Sequence, residues 1–100
     1  MSLSDFYRLE LLRNRTAEIV HRRVEQFLTE HPEFCHCEQC VLDLLAYVLN
    51  HVDPMYGTSL LDPFRPDPAK EEKVRIQIDL SLKAGARKVT AAPNHDKQQA

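Results

Sequence analysis

Tryptophan is absent from this 100-residue chain, and glycine occurs only twice, at Gly57 and Gly85. With so little glycine, a fold rich in tight turns is not expected; abundant Leu, Ala, Glu and Arg favour helix instead. No apolar run approaches the ~20 residues of a membrane span, so no membrane association is expected. Neither sign of charge dominates: 13 Lys+Arg stand against 15 Asp+Glu, net −2. A near-neutral chain is a poor candidate for binding nucleic acid through bulk counterion release, and no direct nucleic-acid contact is expected. Residues Met1 to Arg8 lack a basic stretch followed by an apolar core. A secretory leader is therefore not expected, and the cytoplasm is the expected compartment. There is no glycine-rich phosphate loop, no His-Glu-x-x-His and no serine in a nucleophile elbow, so the expectation is a protein that is not an enzyme.

The length fits one small domain, taken as residues 1–95, with 96–100 as a polar disordered tail. Its core is thin, and chains of this size often add a metal, a disulfide or a partner subunit. Charge is uneven along it: residues 35–69 carry net −4 and residues 70–100 net +3.

Hydrophobic spacing predicts a small all-α domain of about three to four helices. The first helical region runs from about Ser4 to Glu30. Val20, Val24, Phe27 and Leu28 form one stripe and Phe6, Leu9 and Leu12 a shorter one, with Asn14 or Thr16 able to cap a second helix between them. His31-Pro32 ends it, because a residue before proline is pushed out of the helical region. A second helix spans about Glu38 to His51. Val41, Leu42, Leu44, Leu45, Ala46, Val48 and Leu49 cover nearly its whole circumference. A helix apolar all round must be covered on most sides, which predicts a homodimer. Residues 52–68 hold Pro54, Pro63, Pro66 and Pro68, and are read as a proline-rich loop. From about Ala69 to Ala92 two periods compete. Val74, Ile76, Ile78, Leu80 and Leu82 alternate as in a strand, while Val74, Ile78, Leu82 and Val89 fit a helical stripe. Helix-forming flanks favour the helix.

All three cysteines fall in six residues, Cys35-His36-Cys37-Glu38-Gln39-Cys40. Such clustering points to metal or redox chemistry rather than a disulfide framework. Cys37-x-x-Cys40 is a knuckle that sets two thiolates on one ion, and Cys35 adds a third. Three thiolates favour Zn²⁺, held as a structural ion that pins the turn between the first two helices. Structural zinc is four-coordinate, so one ligand remains to be found. His31 is the nearest imidazole; His36, His51 or a group from another subunit are alternatives. Placement at a helix N-terminus is expected to lower thiol pKa values. A redox switch through a Cys37–Cys40 disulfide, and three reduced thiols without a role, are the competing readings.

Cys35-x-Cys37-x-x-Cys40-x-x-Asp43-Leu44-x-Ala46-x-x-Leu49-Asn50, followed by Pro54-x-Tyr56-x-Thr58, resembles the late-competence ComFB family. Asn14-x-x-x-Glu18 and Pro93-x-His95 are also similar to it. The chain carries Met55 and Asn94 where the family pattern commonly has arginine. The resemblance implies a small, mainly helical, dimeric protein without enzymatic activity that binds zinc through these cysteines. It also implies a regulatory receptor module for a cyclic dinucleotide, cyclic di-GMP or cyclic di-AMP. For such a ligand, Tyr56 offers a ring for stacking, Thr58 and Ser59 offer hydroxyls, and Arg75 offers charge for phosphate, with Arg87 and Lys88 further along. The alternatives are a protein-interaction adaptor with no small-molecule ligand, and a thiol redox sensor.

Overall fold

The computed structural model describes residues 1–58 and 67–93. Among them three α-helices carry the fold: α1, Arg15–Glu30; α2, Glu38–Asn50; and α3, Pro68–Ala91. Two short strands, β1 (Leu12–Asn14) and β2 (Tyr56–Thr58), pair antiparallel, with Leu12 opposite Thr58 and Asn14 opposite Tyr56. The protein is thus mostly helical, and the small sheet amends the all-α expectation.

Each helix begins where a side chain can satisfy a free N–H. Asn14 Oδ1 accepts from Thr16 N at 3.1 Å at the start of α1. Asp67 Oδ1 accepts from Ala69 N at 3.0 Å at the start of α3, where Pro68 sits in the first turn. The end of α1 is His31, non-helical at φ −127° and ψ 72° before Pro32.

The region expected to be helical from Ser4 is not α-helical before Arg15. It consists of two 3₁₀ turns, Leu3–Asp5 and Leu9–Leu11, followed by β1. Phe6, Leu9 and Leu12 remain 65%, 47% and 54% exposed, so their helical spacing does not make a buried face among the described residues. Asn14 is needed in extended conformation, both to cap α1 and to pair in the sheet.

In α3 the helical period prevails. Val74, Ile78, Leu82 and Val89 are buried, while Ile76 and Leu80 of the alternating pattern point outward. The core joins these residues to Ile19, Val20 and Val24 of α1, to Cys40, Leu44 and Val48 of α2, and to Phe34. Each fully buried aliphatic side chain contributes about 1.5–3 kcal/mol.

The segment after α2 is laced to both outer helices. Thr16, fully buried, donates its hydroxyl to the Asp53 carbonyl at 2.7 Å. Met55 N donates to Asn14 Oδ1 at 2.9 Å, and Arg15 N donates to the Met55 carbonyl at 2.7 Å. Gln77 of α3 receives Asp53 N on its Oε1 and donates Nε2 to Asp53 Oδ2. Of the residues read as the proline-rich loop, Ser59, Pro63 and Pro66 lie outside the described residues, as do Asn94, His95 and the tail 96–100.

Candidate metal centre

The turn between α1 and α2 is anchored before the cysteines begin. Phe34 is buried, its ring edge-on to Phe27 at 5.5 Å, and its N–H donates to the His31 carbonyl at 3.1 Å. The chain that follows therefore leaves the core from a defined point. Cys37 then occupies the N-cap of α2, where its sulfur accepts from Cys40 N at 3.4 Å. Cys40, in the first turn, is fully buried beneath it.

This arrangement places the sulfurs of Cys35, Cys37 and Cys40 within 4.8 Å of one another. Two thiolates on a tetrahedral Zn²⁺, each at ~2.3 Å, lie ~3.8 Å apart. The three sulfurs consequently fit one ion with little adjustment. Burial is graded: Cys35 is exposed, Cys37 half-buried and Cys40 buried, and none of the three is in a disulfide.

The electrostatics of Cys40 depart from the expectation. Burial, followed by hydrogen bonding with Cys37 and Cys35, pushes its thiol up to about 12. Desolvation of the charged form outweighs the pull of the helix N-terminus here. The buried thiol holds its proton unless a cation takes the proton's place, so metal uptake at this cluster entails proton release.

Among the described residues the tight group has three members, and each candidate histidine has one ring nitrogen in a contact elsewhere. His31 Nδ1 lies 2.8 Å from Glu33 Oε1, and its ring stacks on Phe27 at 4.4 Å. His36 Nε2 lies 3.3 Å from the His31 carbonyl oxygen. His51 Nδ1 donates to the Tyr47 carbonyl at 2.6 Å. It sits at the opposite end of α2, about 16 Å along the axis from Cys40 at 1.5 Å per residue, too far to share an ion within one chain.

Tyr56 and Thr58 lie two residues apart on β2 and so share a face; Tyr56 is exposed and Thr58 half-buried. Arg75, on α3, has Nη2 3.3 Å from Glu71 Oε1, and Arg15 approaches the same oxygen at 3.5 Å. Among the described residues no hydrogen bond or ion pair joins Arg75 to Tyr56 or Thr58. Sequence reasoning passed over Phe34 as a site residue. Its only local signal is an aromatic directly preceding a cysteine cluster.

Outside the cluster, no helix among the described residues is long and apolar enough to cross a membrane. The molecule is a small helical protein with a three-thiol candidate metal turn. The family model of the late competence development protein ComFB matches residues 13–93, from the first strand to the end of the third helix. The chain belongs to the ComFB family. A search of curated proteins returned no match.

Proposed function

We propose that this chain is a non-enzymatic regulatory module of the ComFB type that holds a structural zinc ion, works as a homodimer, and receives a cyclic dinucleotide. The observation that carries the reading is the meeting of three sulfurs at the N-terminus of α2. An ion there ties the Phe34 turn to α2 and supplies folding energy that a thin core lacks.

The outer side of α2 supports the homodimer. Cys40, Leu44 and Val48 face the core, whereas Leu42 and Ala46 are exposed, and Leu45 and Leu49, partly buried at the edge of the core, complete an i, i+3, i+4, i+7 stripe with them. Leu42 is 50% exposed in the single chain. A second copy packed on that stripe completes the burial of an almost wholly apolar helix. A two-fold assembly also suits a ligand with its own two-fold axis. The exposed Tyr56 ring, the neighbouring Thr58 hydroxyl and the Arg75 guanidinium are the groups proposed for the base and phosphates, with the resemblance as their warrant.

Metal content and native mass of protein purified without added metal test the first two parts together. About one zinc per chain and a mass of two chains are expected. Cys40→Ser is expected to lose the metal and to melt well below the parent. Metal-free protein with a Cys37–Cys40 disulfide overturns the zinc reading in favour of a redox sensor. Calorimetry with cyclic di-GMP and cyclic di-AMP tests the third part. Absence of heat with high-micromolar nucleotide removes the receptor role and leaves the adaptor.

A further inference from the structure

The C-terminal halves of α1 and α3, with the turn after α1, line a groove of about 860 Å³. That volume lies within the ~300–1,000 Å³ of small-molecule sites. The Arg23–Asp79 ion pair, at 2.7 Å, stands in its lining. The apolar part of the lining comprises Phe27, Phe34, Leu82 and Ala86, with Phe34 and Leu82 buried. The Phe27 and Phe34 rings meet edge to face, which leaves a Phe27 face to the His31 ring and holds both phenyls in place.

The charged lining is asymmetric in its pairing. Asp79 is held by the Arg23 guanidinium, Glu30 accepts from the neutral Gln26 Nε2 at 3.1 Å, and Glu33 is 2.8 Å from the His31 ring. Lys83 and Arg87 stand one helical turn apart on α3 and line the same groove. Neither has an ion pair among the described residues. Two adjacent cations with no ion-pair partner among the described residues, beside an apolar and aromatic floor in a lining that also holds Glu30 and Glu33, offer a local site for a ring that carries an anionic group. An arginine fork with a neighbouring ammonium suits a phosphate, sulfonate or carboxylate.

We propose that this groove binds a small organic anion built on a planar aromatic ring, with the ring against Phe27 and Phe34 and the anionic group between Lys83 and Arg87. The site is separate from the cysteine cluster and from Tyr56, Thr58 and Arg75. It stands or falls independently of the cyclic dinucleotide reading, because the probes that test it are not nucleotides.

The test is a nuclear magnetic resonance titration of isotope-labelled, full-length, metal-loaded protein with 1-naphthyl phosphate. Two comparators accompany it: 1-naphthol, which has the ring alone, and inorganic phosphate, which has the charge alone. Saturating shifts are expected at Phe27, Leu82, Ala86, Arg87 and Thr90, with naphthyl phosphate binding at least about tenfold more tightly than either comparator. The doubly substituted Lys83→Glu, Arg87→Glu protein, changed only at exposed positions, is expected to lose that tenfold and to keep its weak affinity for naphthol. Shifts that fail to saturate or that fall on the outer side of α2 overturn the proposal. Equal binding of naphthol or of phosphate also overturns it, as does the double variant binding like the parent. Broadening of the groove resonances with protein concentration, before ligand is added, assigns the groove to a second copy and overturns it too.

Discussion

Gly85 of α3 lies directly against the ring of Tyr47 of α2: a Cβ on Gly85 would come 2.7 Å from Tyr47 Cδ1 and 3.2 Å from Leu44 Cδ1. The Tyr47 ring has two contacts to lose if it moves aside. It stacks on His51 at 4.1 Å, with the Lys88 ammonium 5.6 Å from its centroid. Two effects oppose each other in Gly85→Ala. Helix propensity favours alanine by up to about 1 kcal/mol, while overpacking costs about 1–3 kcal/mol. The second is expected to win by on the order of 1 kcal/mol, a fall of about 4–8 °C in melting temperature for a domain of this size. In a Tyr47→Ala background the same substitution is expected to cost less or to stabilise. An unchanged cost there would show that the ring is not the obstacle.

Asn14 joins two distant parts of the chain through one oxygen. Its Oδ1 accepts from Thr16 N, capping α1, and from Met55 N, holding the approach to β2. Asn14→Ala removes both bonds and is expected to cost about 1–3 kcal/mol, read as a lowered urea midpoint. Asn14→Asp keeps the acceptor beside a helix N-terminus and is expected to recover most of that loss. Equal loss in the two variants would assign the effect to something other than acceptance by this oxygen.

These two residues also show which parts of the fold could be read in advance. Most helix ends were legible because their causes are local: the second helix was expected at Glu38 to His51 and runs Glu38–Asn50, the third was expected from about Ala69 to Ala92 and runs Pro68–Ala91, and only the start of the first, expected near Ser4, lies elsewhere, at Arg15. The meeting of three cysteines was legible for the same reason, since Cys-x-Cys-x-x-Cys at the start of a helix is a local pattern. The pairing of Leu12–Asn14 with Tyr56–Thr58 was not, because a three-residue ladder between distant segments has no periodicity to detect. Gly85 read as a flaw in a helical composition. Its reason lies in a ring on another helix. The pKa of Cys40 was misjudged because helix position is visible in a sequence and depth of burial is not.

Acid should loosen the lacing between α2 and α3. Hydrogen bonding from Gln77, reinforced by Lys73, holds the Asp53 carboxyl below its usual value. Glu33 is lowered likewise, first by a backbone hydrogen bond and then by His31. A folded-state pKa below the unfolded one gives stability that is complete above the unfolded value, about 3.9 for aspartate. It is lost as pH falls through the folded value. Asp53→Asn keeps an oxygen for Gln77 and removes the titration. The parent is expected to exceed this variant in urea midpoint at about pH 6, with the gap closing below about pH 4. A gap that stays constant across that range would show that the charge of Asp53 is not involved.

The proposed homodimer makes a prediction that the fold of a single chain does not. Leu42 is half-exposed on the outer stripe of α2, so a charge there costs an isolated chain within about 0.5 kcal/mol. Placed in an interface with a second copy, the same charge is desolvated without a partner, and association fails. Leu42→Glu is therefore expected to keep the helical circular dichroism and metal content of the parent while its native mass falls from two chains to one. Leu45 is a less discriminating position, because it also packs against the core of its own chain. A Leu42→Glu protein that remains a pair would place the contact elsewhere, with the exposed Ile76 and Leu80 on α3 next to be substituted. A parent protein that runs as a single chain at micromolar concentration would remove the homodimer altogether.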